Sequence, residues 1–298
     1  CTFILVPVPA PPHGSVWLQR FMFGHCKKNV QLRVLTPCRP GRLASTTLRR
    51  SRDHQPGQPP TCTHPASATA GGPQSRGPAH ATLISHLLDL VGPLDDLPYH
   101  PAVFAVDGRG GAGKTTLTRA ITALYPSAQV LCIDDLAWNE PFYQWDYLLV
   151  AALTELRQTG VLDLVPPAWQ AHHVEGSINI SSCPLVIVEG SGAGMRAVNG
   201  LIDAHVWVQT GDDVAKQRGI RRDIAEGVNG DAQESVRFWH QWMAAERAFF
   251  AVDRPWERAD VIVAGQDPQS LADREVAWVR GPLGPAGPAG PRPGTTGE

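Results

Sequence analysis

Short apolar runs alternate with segments of helical periodicity along the middle of the chain, from about residue 81 to residue 277. The apolar runs are rich in Val and Ile and are continuous, as expected for strands buried on both faces of a parallel sheet. Strands are predicted at residues 103–107, 129–133, 185–188, 204–209 and 260–263. Helices are predicted at residues 82–91, 114–124, 144–158, 212–226, 232–250 and 268–278. We therefore expect a three-layer α/β fold in which helices cover both faces of a five-stranded parallel sheet.

The two ends of the chain differ from this central part in composition. Residues 1–80 hold ten Lys and Arg residues, one acidic residue and twelve prolines, without a sustained helical or strand pattern. Subtracting these from the chain totals of 26 basic and 28 acidic residues leaves 16 basic and 27 acidic residues for the remainder. We expect a disordered basic, Pro-rich tail at 1–80, a folded domain at 81–279 and a disordered Gly/Pro tail at 280–298.

Three interpretations of the N-terminal tail stay open. It is an organellar targeting segment, because such segments are rich in Arg and poor in acids. Alternatively, it is a basic arm for nucleic acid or another acidic partner. The third interpretation, which we favour, is that it lies outside the functional protein, because the chain begins with Cys1 rather than Met. A nucleic-acid partner is therefore not expected.

Cysteine usage and hydropathy bear on the compartment. The six cysteines show neither the C-x-x-C nor the His-paired spacing of a zinc site, and they do not indicate a disulfide framework. No segment of the sequence reaches the roughly 18 consecutive apolar residues that span a bilayer. We expect a cytoplasmic protein without a membrane partner, and the sequence carries no signal for an oligomeric state.

The first predicted strand runs into a glycine-rich loop that fits the Walker A pattern G-x-x-x-x-G-K-T. The loop reads Gly108-Arg109-Gly110-Gly111-Ala112-Gly113-Lys114-Thr115-Thr116. Its glycines allow successive backbone N–H groups to turn inward and cradle phosphate oxygens at a helix N-terminus. In this pattern Lys114 reaches the β- and γ-phosphates, and the Thr115 hydroxyl ligates Mg²⁺. We predict that residues 108–116 bind a nucleoside triphosphate with Mg²⁺.

The same glycines also satisfy a dinucleotide-binding pattern. Gly108, Gly110 and Gly113 fit G-x-G-x-x-G, and Asp134 follows at about the distance of a ribose-binding acid. A dinucleotide-binding helix begins with small or apolar side chains, whereas this one begins with Lys-Thr-Thr. The lysine and the threonines favour the triphosphate-binding loop.

Acidic residues follow two of the other predicted strands. Asp134 and Asp135 are expected to close the second strand, and Glu189 ends the third. In open α/β sheets, ligands bind beyond the carboxyl ends of the strands, so these acids are expected near the phosphates. An acid there accepts the proton of an attacking hydroxyl or helps to hold Mg²⁺, and we assign Glu189 to the metal. Glycines at 190, 192 and 194 suggest a tight turn close to the phosphates.

The predicted helix at 212–226 carries three arginines, and Arg218 shares a face with both Arg221 and Arg222. Phosphoryl transfer is catalysed largely by positioning and charge neutralisation, so a helix of this kind is able to close over the γ-phosphate. The alternative is a solvated helix whose arginines pair with the acids of the same helix. The residue pattern alone leaves both open.

Four segments, taken in order, resemble the uridine kinase branch of the P-loop kinases, which also includes phosphoribulokinase and pantothenate kinase. They are V-D-G-x-G-G-A-G-K-T-T from Val106, I-D-D from Ile133, L-V-I-V-E-G from Leu185, and R-G-I-R-R-D-I-A-E-G from Arg218. The resemblance covers roughly residues 101–265. It implies an ATP-dependent kinase domain that transfers the γ-phosphate to a small-molecule hydroxyl, with a nucleoside such as uridine or cytidine as the expected acceptor.

The resemblance also implies roles for individual residues. Asp134 corresponds to the general base, and Arg218 and Arg222 correspond to the lid that closes over the transferring phosphate. With Lys114 they form the expected catalytic set. ATP and Mg²⁺ are the expected cofactors.

The acceptor side departs from the family pattern. Leu136-Ala137-Trp138 follows the acid pair where the family has Phe-Tyr, and Ala168-Trp169-Gln170 stands in place of a Tyr-Asp segment that helps to hold the nucleoside. We take Asp135 and Trp169 as the expected substrate-binding residues. The aromatic residues at helical spacing in 232–250 are expected to pack in the core or under the lid rather than to stack on a base.

Other functions compete with this one. A kinase for another alcohol, a sugar or a nucleoside monophosphate fits the same donor side, as does a regulatory protein that binds ATP without catalysis. A GTPase switch does not fit, because the sequence has no D-x-x-G after the loop and no N-K-x-D.

Overall fold

The computed structural model describes residues 80–87, 89, 101–265 and 275–282. Its strands are β1 His80–Leu83, β2 Ala102–Gly108, β3 Gln129–Cys132, β4 Leu162–Leu164, β5 Ile178–Ile180, β6 Leu185–Glu189, β7 Ala204–Gln209, β8 Val261–Ala264 and β9 Glu275–Arg280. Its α-helices are α1 Lys114–Leu124, α2 Ile133–Leu136, α3 Asp146–Thr159, α4 Pro167–Ala171, α5 Asp212–Glu226 and α6 Ala232–Asp253. Short 3₁₀ helices lie at Ile84–His86, Arg196–Val198 and Pro255–Glu257.

The main sheet has seven strands in the order β1-β9-β8-β7-β2-β6-β3. The five strands from β8 to β3 are parallel, which confirms the predicted five-stranded parallel sheet. At the other edge, β9 runs antiparallel to β8, and β1 runs antiparallel to β9. β4 and β5 form a separate antiparallel pair.

Strand β2 lies at the centre of this sheet and is buried along its whole length. Phe104 and Val106 pack on one face in an apolar cluster that includes Leu117 and Ile121 of α1. Side chains that alternate with these enter a second cluster on the opposite face, which includes residues of α3 and α6. Because apolar residues cover both faces, β2 is a continuous apolar run in the sequence. A ligand is therefore expected at the carboxyl end of this strand.

Two predicted helices are wrong where the structure describes them. Residues 82 and 83 of the predicted helix 82–91 belong to β1, and residues 275–278 of the predicted helix 268–278 belong to β9. The two strands pair with each other in antiparallel register. In β9, Ala277 and Val279 are buried while their neighbours are more exposed, which is the period of a strand. Residues 84–86 of the first predicted helix form a 3₁₀ helix, and residues 268–274 of the second lie outside the described residues.

Smaller differences occur elsewhere. The second predicted strand ends at Cys132, and the predicted helix 144–158 is Asp146–Thr159. The expected tails, 1–80 and 280–298, lie almost entirely outside the described residues, and β9 reaches Arg280. Within the described ranges, no helix combines the length and the apolar character needed to cross a membrane.

Candidate active site

The Walker A loop joins the end of β2 to the start of α1. Gly111 and Gly113 have positive φ angles of 76° and 106°, a backbone conformation that side chains rarely adopt. A Cβ atom on Gly111 would lie 2.2 Å from the carbonyl oxygen of Ala215 in α5. The loop therefore packs against α5 while it wraps the N-terminus of α1, where backbone N–H groups favour an anion.

Lys114 is held at the mouth of this loop by two contacts. Its ammonium donates to the carbonyl oxygen of Arg109 at 2.8 Å and to the Ser191 hydroxyl at 3.2 Å. Ser191 in turn donates to the carbonyl oxygen of Gly108 at 2.9 Å. These contacts hold the lysine between the Walker A loop and the turn that follows β6.

Thr115 and Glu189, the two expected metal ligands, lie side by side. The Thr115 hydroxyl donates to Glu189 Oε1 at 3.2 Å. Burial raises the pKa of Glu189, while nearby Lys114 opposes this shift. The described residues contain no group of three or more His, Cys, Asp or Glu side chains placed to hold a metal ion by themselves. A hydroxyl and one carboxylate fit Mg²⁺, which takes its remaining ligands from phosphates and water.

Asp134 and Asp135 lie on α2, two and three residues beyond the end of β3, so they do not directly close the strand as predicted. Both line the same cavity as Lys114 and Glu189. The pKa of Asp135 is raised from 3.8 to about 7, chiefly by burial and further by the charges of Asp134 and Glu189.

Helix α5 brings Arg218 and Arg222 to the cavity. Arg218 donates to the carbonyl oxygen of Gly265 at 2.7 Å. Arg222 pairs with Asp223 at 2.8 Å. Asp223 also accepts a hydrogen bond of 2.6 Å from the indole of Trp239, which fixes the end of α5 against α6. Arg222 is thus paired within α5 and also lines the cavity, and closure of this helix over the phosphate stays a prediction.

The cavity formed by these elements measures about 640 Å³. Walker A residues line one part of it, and Phe238, Trp239 and Trp242 of α6 line another. Trp239 and Trp242 also belong to the apolar cluster beneath the sheet. The predicted core packing of the aromatic residues is confirmed, and three of them also form a wall of the cavity.

No model of a known protein family matches the chain. A curated uridine kinase from Borrelia turicatae (strain 91E135) is 24% identical over 179 residues, which make up 54% of this chain and 85% of that protein. The chain resembles the uridine kinase-like P-loop kinases. This confirms the resemblance inferred from the sequence motifs.

Two solved structures are similar to this uridine kinase-like chain. A candidate fructose transport system kinase from Silicibacter sp. TM1040 has 17% sequence identity and a TM-score of 0.42, with 57% of this chain and 93% of that chain covered. A possible uridine kinase from Bacillus stearothermophilus has 18% identity and a TM-score of 0.39, with 60% and 96% covered.

Four of the expected ligand-binding residues, Gly108, Arg109, Ala112 and Trp169, are not among the residues that line the cavity. The guanidinium of Arg109 is buried between Asp212, at 3.1 Å, and Glu246, at 3.5 Å. Trp169 is fully buried in the core, where its indole N–H donates to the backbone carbonyl of Asp135 at 3.1 Å. Through this hydrogen bond, Trp169 supports the segment that carries Asp134 and Asp135.

Asp107 is a site residue that the sequence reasoning missed. Its Oδ1 atom accepts hydrogen bonds from the N–H groups of Gly108 at 2.6 Å and Gly192 at 2.8 Å, and its Oδ2 atom accepts one from Gly194 at 2.9 Å. Burial raises its pKa from 3.8 to about 6, and the three N–H groups oppose this rise. Asp107 fastens the Walker A loop to the turn after β6.

Ser191 and Glu246 were missed as well. Ser191 lies in the glycine-rich turn that the sequence placed near the phosphates, so that turn was a usable signal. Glu246 lies in α6 among aromatic residues and accepts a hydrogen bond of 2.8 Å from the backbone N–H of Gly110. No local pattern marks it, because its loop partner Gly110 is 136 residues away in sequence.

Proposed function

We propose that the protein is an ATP-dependent phosphotransferase that moves the γ-phosphate to a hydroxyl group of a small metabolite, with a nucleoside such as uridine or cytidine as the acceptor. One observation carries the proposal: a single cavity is lined by the Walker A lysine, by the Thr115–Glu189 pair and by the carboxylates of α2. A donor site and an acidic group able to receive a hydroxyl proton therefore share one space.

On the donor side, the loop amides and Lys114 bind the β- and γ-phosphates. Thr115 and Glu189 would hold Mg²⁺, which would neutralise phosphate charge. Arg218 and Arg222 stabilise the charge of the transferring group, and these preorganised charges lower the barrier because they need no reorganisation during transfer.

On the acceptor side, Asp134 orients the attacking hydroxyl and takes its proton as the bond to phosphorus forms. Its neighbour Asp135 has a raised pKa, so it is able to donate a hydrogen bond as well as to accept one near neutral pH. Such a pair suits an acceptor with several hydroxyl groups, whose O–H groups both donate and accept.

The charges around the acceptor side favour an uncharged molecule. In the described part of the chain, the cavity is lined by the cations Lys114, Arg119, Arg218 and Arg222. Lys114 and Arg119 belong to the donor helix α1, and Arg218 and Arg222 are assigned to the transferring phosphate. A phosphate or carboxylate on the acceptor would meet the acids of α2 without a cation reserved for it, so a nucleoside monophosphate fits less well than a nucleoside.

ADP formation tests the proposal. The full chain is incubated with ATP, Mg²⁺ and either uridine, cytidine or uridine monophosphate, and wild type is compared with Asp134→Asn. We expect acceptor-dependent ADP with uridine or cytidine, and none above background with the monophosphate or with the variant. ATP binding without turnover on nucleosides, sugars and other alcohols would instead identify a regulatory ATP-binding protein.

A further inference from the structure

Tyr143 lies in the segment between α2 and α3, a few residues after the acids of the acceptor side. Its φ angle is 60°, in the left-handed region that a bulky residue rarely occupies. Its ring stacks on Phe249 with centroids 4.3 Å apart, at an interplanar angle of 14°. Such a backbone conformation costs about 1–3 kcal/mol, so it persists only where the contacts of the residue hold it in place.

The Tyr143 hydroxyl donates to Glu246 Oε1 at 3.3 Å. The same oxygen accepts the backbone N–H of Gly110 in the Walker A loop at 2.8 Å and the indole N–H of Trp242 at 3.3 Å. Glu246 is 1% exposed, so these hydrogen bonds are shielded from water. One buried carboxylate thus joins the tyrosine to the third residue of the Walker A loop.

We propose that Tyr143 is a positioning residue whose hydroxyl ties the segment following Asp134 and Asp135 to the Walker A loop, at Gly110 through Glu246. Tyr143 does not line the cavity, so its hydroxyl acts through this carboxylate. This role deepens the proposed function, because it connects the acceptor side of the site to the donor side.

The protonation of the groups fits this role. Burial, and then the charge of Glu246, hold the pKa of Tyr143 well above its usual value, so the hydroxyl keeps the proton that it donates. Glu246 has a counter-charge in Arg109, 3.5 Å away. The tyrosine thus supplies a neutral donor to a carboxylate that is already paired, and its removal leaves one buried acceptor with fewer hydrogen bonds.

The test uses Tyr143→Phe, which removes only the hydroxyl and keeps the stacked ring. Tyr147→Phe is the matched control, because Tyr147 is 51% exposed on the first turn of α3. The dissociation constant of the ATP analogue AMP-PNP with Mg²⁺ is measured by calorimetry, and the melting temperature of each variant is recorded. We expect affinity to fall about fivefold in Tyr143→Phe, the equivalent of one hydrogen bond of about 1 kcal/mol, and to stay unchanged in the control.

A lower melting temperature of Tyr143→Phe with unchanged affinity would assign the hydroxyl to folding alone and overturn the proposal. Because nucleotide binding is measured without an acceptor, this result is distinct from a failure of the proposed phosphotransfer.

Discussion

Thr115 Oγ1 lies 3.2 Å from Glu189 Oε1, so the first turn of α1 and the end of β6 present one hydroxyl and one carboxylate to the same point. Removing the negative charge with Glu189→Gln is expected to weaken the enhancement of nucleotide binding by Mg²⁺. The measurement is AMP-PNP affinity with Mg²⁺ and with EDTA. Glu155→Gln, an exposed change on α3, serves as the control. Equal enhancement in wild type and Glu189→Gln would remove Glu189 from the metal site.

Lys114→Ala and Asp134→Asn are expected to separate binding from chemistry. Both variants should lose phosphoryl transfer, but only Lys114→Ala should strongly weaken ATP binding, because we assign Lys114 to the donor phosphates and Asp134 to the acceptor. Calorimetry for ATP and an ADP-release assay give the two quantities. An Asp134→Asn variant with wild-type turnover would show that another group receives the hydroxyl proton.

The parts of the site that the sequence predicted are those encoded by short, continuous segments. The Walker A loop requires glycines and a lysine at fixed spacing, and the acids follow apolar strands directly, so local pattern places Lys114, Asp134 and Glu189 at one edge of the sheet. The five parallel strands were predicted for a similar reason, because burial on both faces makes them continuous apolar runs.

The remaining parts depend on contacts between distant segments. The position of Arg109 in the motif suggested a phosphate contact, yet Asp212 and Glu246 direct its side chain into the interior. Strand β9 was predicted as a helix because its pairing with β8 and β1 is not visible in a short window. In both cases, contacts between distant segments override what the local sequence pattern indicates.

Gly219 is expected to be intolerant of a methyl group, although glycine inside a helix normally costs about 0.5–1 kcal/mol relative to alanine. A Cβ atom there would lie 1.9 Å from the ring of Trp239, so Gly219→Ala must separate α5 from α6. We expect a loss of about 1–3 kcal/mol in the free energy of unfolding.

Gly200→Ala is the matched control for this prediction, because a Cβ atom at Gly200 meets nothing within 4 Å. Chemical denaturation of both variants gives the comparison. Similar unfolding free energies for the two variants would mean that the close packing of α5 on Trp239 is not required.

His205 is expected to make the protein sensitive to acid. Burial, and then the charge of Arg258, lower its pKa from 6.5 to about 3. A group whose folded pKa is depressed stabilises the protein fully above the unfolded value, and that stability is lost as the pH falls from about 6.5 toward 3. Asp107 Oδ2 lies 3.8 Å from His205 Nε2. Its pKa of about 6 has the opposite effect, since its contribution is lost as the pH rises from 3.8 to 6.

The two effects are separated by His205→Gln. Relative to this variant, wild type should lose about 1.4 kcal/mol of unfolding free energy per pH unit on acidification between pH 6 and pH 4, the effect of one proton. Denaturant titrations across that range provide the slopes. Parallel stability profiles for the two proteins would show that His205 does not remain neutral in the folded state.

We expect the donor and acceptor sides of the one cavity to carry out phosphoryl transfer. Transfer of label from [γ-³²P]ATP to uridine or cytidine by the full chain with Mg²⁺ measures this directly. Wild type should give a labelled nucleotide product and Asp134→Asn should give none, although the variant still binds ATP. Binding of ATP by wild type without labelled product from any nucleoside, sugar or other alcohol would contradict it.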